Sequence, residues 1–228
     1  MDVAVGISGR IGSGKSTLAT ELAERLNCRR ASFGDFVRSV VTDCGLDPTQ
    51  REVLQEVGDE LIAGGWKAFC AAVLKSVGYT GGSVVVDGIR HLEAAQTMRA
   101  IVAPTPWRLV AVEVHESART ARLATRGIDK NQALQADSHA NESQVGSVMV
   151  SADFVVSSDS TVEASATEVM EWLTLSNLDL RSKKLGRSTA VADHARAWRT
   201  TEHKRSQSGK ALPPPGLMLH APGLGSLQ

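Results

Sequence analysis

Val-Ala-Val-Gly-Ile-Ser-Gly-Arg-Ile-Gly-Ser-Gly-Lys-Ser-Thr, residues 3–17, is the stretch that decides the fold. Its apolar run from Val3 to Ser8 has the length and residue types of a buried strand. Gly9 to Ser16 then satisfies Gly-x-x-x-x-Gly-Lys-Ser/Thr in full, and an amphipathic helix pattern follows at once. Strand, glycine-rich loop, helix is the setting in which such a loop binds phosphate. The glycines let successive backbone N–H groups turn inward on an anion, and the helix adds the positive end of its dipole. Lys15 can reach the β- and γ-phosphates, and the Ser16 hydroxyl can ligate Mg²⁺. Gly9, Gly12, Ser13, Gly14, Lys15, Ser16 and Thr17 are therefore the expected residues of a nucleoside triphosphate site.

Working outward, Leu18, Ala19, Leu22, Ala23 and Leu26 recur at helical spacing, and Asn27 is the expected stop. Arg30 to Phe33 reads as a short second strand, and Gly34 opens a helix that runs to about Gly45. Asp47-Pro48 predicts the next helix start, with Asp as cap and Pro at the first helical position. Val53, Leu54, Val57 and Leu61 mark its inward face. Gly64-Gly65 breaks the chain, and Trp66 to Val77 resumes as a helix with Phe69, Val73 and Leu74 inward. Ser83 to Asp87 is an apolar strand that ends in an acid. Leu92, Ala95, Met98 and Val102 define a further helix, Trp107 to Val114 a fourth strand, Ser117 to Arg126 a helix, and Asp153 to Val156 a fifth strand. Ser160-Thr161-Val162-Glu163 has the form of a capping box and starts a last helix through Ala166, Val169 and Leu173.

Strands alternating with helices predict an α/β protein: a three-layer P-loop NTPase fold, with a five-stranded parallel sheet covered by helices on both faces. In such sheets ligands bind beyond the carboxyl ends of the strands. The loop, Asp35 and Asp87 all fall at that end. Asp87, closing its strand beside the loop, is placed to hold Mg²⁺ through water while Ser16 ligates it directly; a helix cap is the plainer alternative. Asp35 and Arg38 lie one helical turn apart and can face one ligand. Arg119, Arg122 and Arg126 share one helix face, for which a solvated basic surface is the plain reading.

The 228 residues carry 25 basic and 25 acidic side chains, but the balance is uneven. Residues 181–228 hold 9 basic and 2 acidic, leaving 16 and 23 for residues 1–180: +7 against −7. The expected organisation is one domain over residues 1–176 and a basic, disordered or weakly helical tail over residues 177–228. The tail has one Trp, Trp198, and no recognisable RNA- or DNA-binding motif. Contact with nucleic acid through charge is the alternative to a solvated extension. Cys28, Cys44 and Cys70 fit no Cys-x-x-Cys pattern, and the chain enters its first strand at once, so reduced thiols and a cytoplasmic location are expected. No apolar run approaches the roughly 20 residues of a bilayer span. Oligomeric state is open.

The loop, with Ser32-Phe33-Gly34-Asp35-Phe36-Val37-Arg38, Leu54-Gln55-Glu56-Val57-Gly58 and Val85-Val86-Asp87-Gly88-Ile89-Arg90, resembles P-loop nucleoside monophosphate kinases. The order is similar to phage-type deoxynucleoside monophosphate kinases and dephospho-coenzyme A kinase-like proteins. The resemblance spans about residues 3–175 and implies ATP, Mg²⁺ and a nucleotide acceptor. By that likeness Arg38 clamps the acceptor phosphate, with Arg90 as a second candidate. Asp35 accepts a hydroxyl hydrogen bond or serves as base, and Gln55 reads a base edge or sugar. Residues 127–150 form a small lid, and Arg126 at its start meets the phosphates. Catalysis then falls to Lys15, Arg126 and Asp35. The lid segment has Lys130 and no Arg, which puts its electrostatic work on Arg126. Asp137, His139 and Glu142 match a family segment and read as surface loop ahead of a metal site. Adenine is expected near Ser157 to Ser160. The rival readings are dephospho-coenzyme A kinase-like transfer and a nucleotide-binding regulator without efficient transfer.

Overall fold

The computed structural model describes residues 2–125, 127 and 144–178. It divides into two compact units, residues 1–174 and 175–228. The first contains five strands: β1 Ala4–Ser8, β2 Arg29–Ser32, β3 Val84–Asp87, β4 Trp107–Glu113 and β5 Phe154–Ser157. All are parallel, in the order β2-β3-β1-β4-β5. The helices are α1 Lys15–Arg25, α2 Phe33–Asp43, α3 Arg51–Ala63, α4 Trp66–Ser76, α5 Leu92–Ile101, α6 Glu116–Ala124, α7 Val145–Val150, and α8 from residue 162. This is the doubly wound sheet expected from the strand–helix alternation. Of the second unit, residues 175–178 are described, and they are helical.

Every residue of β1 is buried, which is why the run reads as continuously apolar. Its side chains alternate between two cores. Val5 and Ile7 pack with Leu18 and Leu22 of α1 and Val169 and Leu173 of α8. Ala4 faces the other core, with Val37, Phe69, Val73, Met98 and Trp107. On that side Gly6 is dictated by close approach: a Cβ there would lie 2.4 Å from the Trp107 ring. The Trp107 indole thus fills the volume that a β1 side chain would take. No helix among the described residues is long and apolar enough to cross a membrane.

Several boundaries differ from expectation. Asp47 does not cap a helix. Its carboxylate accepts from the Thr49 N–H and hydroxyl and from Gln50, closing a turn, and these bonds hold its pKa below the usual carboxylate range. α3 starts three residues later, after Gln50. At α8 the capping hydroxyl belongs to Thr161, which accepts from the Ala164 N–H. Ser160 lies one residue too early. The end of the expected lid is part of the body: α7 buries Val145 and Val148, the latter in the Trp107 core. Arg126, residues 128–143 with Lys130, Asp137, His139 and Glu142, and residues 179–228 with Trp198 lie outside the described residues.

The Gly6–Trp107 contact makes a direct prediction. Gly6→Ala overpacks the core by about 2 kcal/mol or more, lowering Tm by about 4–8 °C. Adding Trp107→Leu should restore part of that loss in a thermal melt. An unchanged Tm for Gly6→Ala would show that the indole is free to move aside.

Candidate functional site

The loop after β1 closes on itself. Gly12 and Gly14 adopt φ of 81° and 87°, and Ser13 N–H donates to the Arg10 carbonyl at 3.1 Å. α1 then begins without a side-chain cap, so its first N–H groups face the loop's concavity. Lys15 Nζ folds back to the Arg10 carbonyl at 3.3 Å. Ser16 and Thr17 are exposed in the first turn.

α6 grips this loop from outside. Arg119 and Arg122 are not the solvated basic face their spacing suggests. Arg119 is buried, held by Glu116 at 2.8 Å, and reaches the Ile11 carbonyl at 3.4 Å. The Arg119 hydrogen bonds, with help from Arg10, keep the Glu116 carboxyl below its ordinary pKa. Arg122 donates to the Ser13 carbonyl and to the hydroxyl and carbonyl of Ser158. The Ser158 hydroxyl itself donates to the Ser13 carbonyl at 2.6 Å. The turn after β5 is therefore tied to the back of the loop.

Across from the loop, Ser32 caps α2 by accepting from the Asp35 N–H, which sets Asp35 in the first turn. A ladder of charges runs from there. Arg38 Nη1 donates to Asp35 Oδ1 at 3.1 Å, and Arg30 Nη1 to Asp35 Oδ2 at 2.9 Å. Arg30 Nη2 continues to Asp87 Oδ2 at 2.6 Å. Burial works against the Arg30 charge, but Asp87 and then Asp35 outweigh it and raise its pKa above the usual guanidinium value. In the sequence Arg30 reads only as a strand residue. The available signal was a charged side chain inside a strand paired with one that ends in an acid, Ser32 being opposite Asp87.

A cavity of about 420 Å³ joins the two sides. Gly12, Lys15 and Ser16 line it from the loop; Asp35, Arg38, Gln55 and Arg90 line it opposite, with Asp87 also in its wall. Gly9, Ser13, Gly14 and Thr17 complete the loop without lining this cavity. Its charged lining is four basic residues, Lys15, Arg38, Arg51 and Arg90, against Asp35 and Asp87, a balance that suits polyanions. Trp66 and His91, also unforeseen, form a wall: their rings lie 4.8 Å apart, and His91 Nδ1 is 2.8 Å from Gln144.

The donors fit Mg²⁺. Asp87 Oδ1 is buried with no hydrogen-bond partner among the described residues, although Oδ2 is taken by Arg30. Mg²⁺ prefers oxygen ligands and keeps several waters, so one hydroxyl and one carboxylate oxygen suffice from the protein. Among the described residues no cluster of three His, Cys, Asp or Glu offers a different site.

The sheet, loop and following helix define a P-loop NTPase of the kinase-like α/β fold. The chain belongs to the AAA domain family, whose model matches residues 5–144. It is 33% identical to a UPF0200 protein of Aeropyrum pernix over 124 residues, covering 54% of this chain and 64% of that protein. A cytidylate kinase of Haloarcula marismortui is 40% identical over 57 residues, 25% of this chain and 30% of that protein. The chain thus spans less than two thirds of these two relatives. A UPF0200 protein of Thermococcus onnurineus is 26% identical over 177 residues, 72% of this chain and 93% of its own. Among solved structures, a shikimate kinase from Aquifex aeolicus shares the fold at TM-score 0.51 and 18% identity, over 77% of this chain and 99% of that one.

The Arg30–Asp87 pair is testable by denaturation. Arg30→Ala strands a buried carboxylate, and we expect a loss of about 2–3 kcal/mol in urea unfolding, toward the low end because part of Arg30 reaches solvent. Asp87→Asn in the Arg30→Ala background should recover most of it. Simple additivity of the two single losses would exclude the coupling.

Proposed function

We propose that the protein transfers the γ-phosphoryl group of ATP, with Mg²⁺, to the phosphate of a nucleoside or deoxynucleoside monophosphate. The observation that carries this reading is the single cavity lined by Lys15, Ser16 and Asp87 on one side and by Asp35, Arg38, Gln55 and Arg90 on the other. A triphosphate site alone would need no second set of phosphate-binding side chains. Similarity to cytidylate kinases of Haloarcula marismortui and Natronomonas pharaonis supports the same class of reaction.

In this reading the loop N–H groups and Lys15 hold the β- and γ-phosphates, with adenine toward Ser157–Ser160. Arg38 and Arg90 hold the acceptor phosphate in line with the γ-phosphorus, and Gln55 contacts the sugar or base. An oxygen of the acceptor phosphate forms the new P–O bond as the bond to the β–γ bridging oxygen breaks, and ADP leaves. Ser16 and Asp87 would hold Mg²⁺, which when bound offsets negative charge on the β- and γ-oxygens. Such a transfer needs positioning and positive charge more than covalent chemistry. Arg126 is the further cation assigned to it.

Asp35 bears on the rival acceptor. Both its carboxylate oxygens already accept guanidinium bonds, from Arg30 and Arg38. That suits a residue that positions arginines and fits poorly with a base for a ribose hydroxyl, as dephospho-coenzyme A kinase-like transfer would require. An ionised phosphate acceptor needs no base.

The test is a turnover assay with Mg-ATP against ribo- and deoxynucleoside monophosphates and dephospho-coenzyme A, with Lys15→Ala as control. We expect phosphorylation of at least one monophosphate, lowered about 10²-fold or more by Lys15→Ala. ATP binding without transfer to any acceptor would favour a nucleotide-binding regulator instead.

A further inference from the structure

α3 turns Arg51, Leu54, Gln55, Gly58 and Ile62 toward the cavity. Their spacing puts them on one helix face. Leu54 and Ile62, like Val53, Val57 and Leu61, pack partly against the core, yet no residue of α3 is fully buried. At its middle stands Gly58, the eighth of thirteen residues.

Glycine is a poor choice for a helix interior, because it gives up the most backbone freedom on folding. Three ordinary causes are a left-handed backbone, a close neighbour and a helix end. Gly58 does not have a positive φ. Apart from the backbone of α3 itself, a Cβ built on it meets no atom of the described residues within 4 Å, in contrast to the 2.4 Å approach at Gly6. It also lies more than a turn from either end of α3. The fold therefore leaves open the space that an alanine methyl would take, and that space borders the cavity.

We propose that Gly58 is a specificity-determining residue of the acceptor site: the planar base of the acceptor lies against the bare backbone of α3 at this position. Leu54 and Ile62 flank it along the helix, Gln55 meets its polar edge, and Trp66 closes the cavity wall. A flat ring can approach backbone closely where there is no side chain, and its burial would cover the part of this half-buried stripe that still faces the cavity. Arg38 and Arg90 supply the cationic part of the same cavity for the phosphate. This inference rests on reading the cavity as an acceptor site, and it adds that recognition depends on an aromatic ring as well as a phosphate.

The test uses the full chain and binding rather than turnover. Wild type and Gly58→Ala are titrated calorimetrically with CMP, UMP, AMP and GMP, and with ribose 5-phosphate, which keeps sugar and phosphate but lacks the ring. Both proteins are also melted without ligand. Gly58→Ala should melt about 2–4 °C higher, since the helix gains and nothing is displaced. It should bind the preferred nucleotide at least about tenfold more weakly, the scale of one misplaced methyl group in a fitted site. Ribose 5-phosphate affinity should be unchanged. Equal nucleotide affinity in both proteins overturns the proposal and leaves the kinase reading standing. A lower Tm for Gly58→Ala, or an equal loss for ribose 5-phosphate, also overturns it. If wild type binds none of the four nucleotides and none of the deoxynucleoside monophosphates, the acceptor reading itself fails and takes the proposal with it.

Discussion

The ion pair between Arg30 and Asp87, 2.6 Å apart at the carboxyl end of the sheet, is the contact on which the arrangement of the cavity depends. Asp87 is buried and Arg30 is partly open to solvent. A carboxylate in that position is costly unless it is paired. Arg30 supplies the pair and leaves one oxygen, Oδ1, without a partner among the described residues. The same guanidinium reaches Asp35, which in turn holds Arg38. One strand residue thus connects Asp87, at the end of β3, to Asp35 in the first turn of α2.

A second set of contacts holds the loop from behind. Arg119 and Arg122 donate to backbone carbonyls of Ile11 and Ser13, and Ser158 adds a third bond. Engaging the carbonyls on the outer side leaves loop N–H groups to face an anion. Arginines serve this role well because a rigid planar fork reaches several acceptors at once. The loop is thereby shaped in advance of any ligand, which lowers what binding must spend on ordering it.

Much of the fold was legible in the primary structure because the sheet is parallel and buried on both faces. β1, β3 and β4 stand out as apolar runs, and α1, α4 and α5 as amphipathic periods. The loop needed only its glycines and Lys15. Less visible were contacts set by tertiary register. Arg30 looks like an ordinary strand residue until β2 pairs with β3 and brings it to Asp87. Arg119 and Arg122 look like a solvated face until α6 lies over the loop. The start of α3 was not legible because Asp47-Pro48 signals a helix cap and an Asx turn equally well. Val145 and Val148 were hidden in a polar stretch too short to show a period. Of the candidate site, Lys15, Ser16, Asp35, Arg38, Gln55, Asp87 and Arg90 do meet at one cavity. Arg126 falls outside the described residues.

In the proposed reaction ATP and the acceptor meet in that one cavity. The most direct measurement is the affinity of a bisubstrate analogue, adenosine joined through an oligophosphate to a second nucleoside, titrated into wild type, Lys15→Ala and Arg38→Ala. The account predicts that the analogue binds wild type at least about 10²-fold more tightly than ATP, because the second half docks without a further loss of translational freedom. It also predicts that either substitution removes most of that gain. An analogue that binds no more tightly than ATP, and that is indifferent to Arg38→Ala, would contradict it.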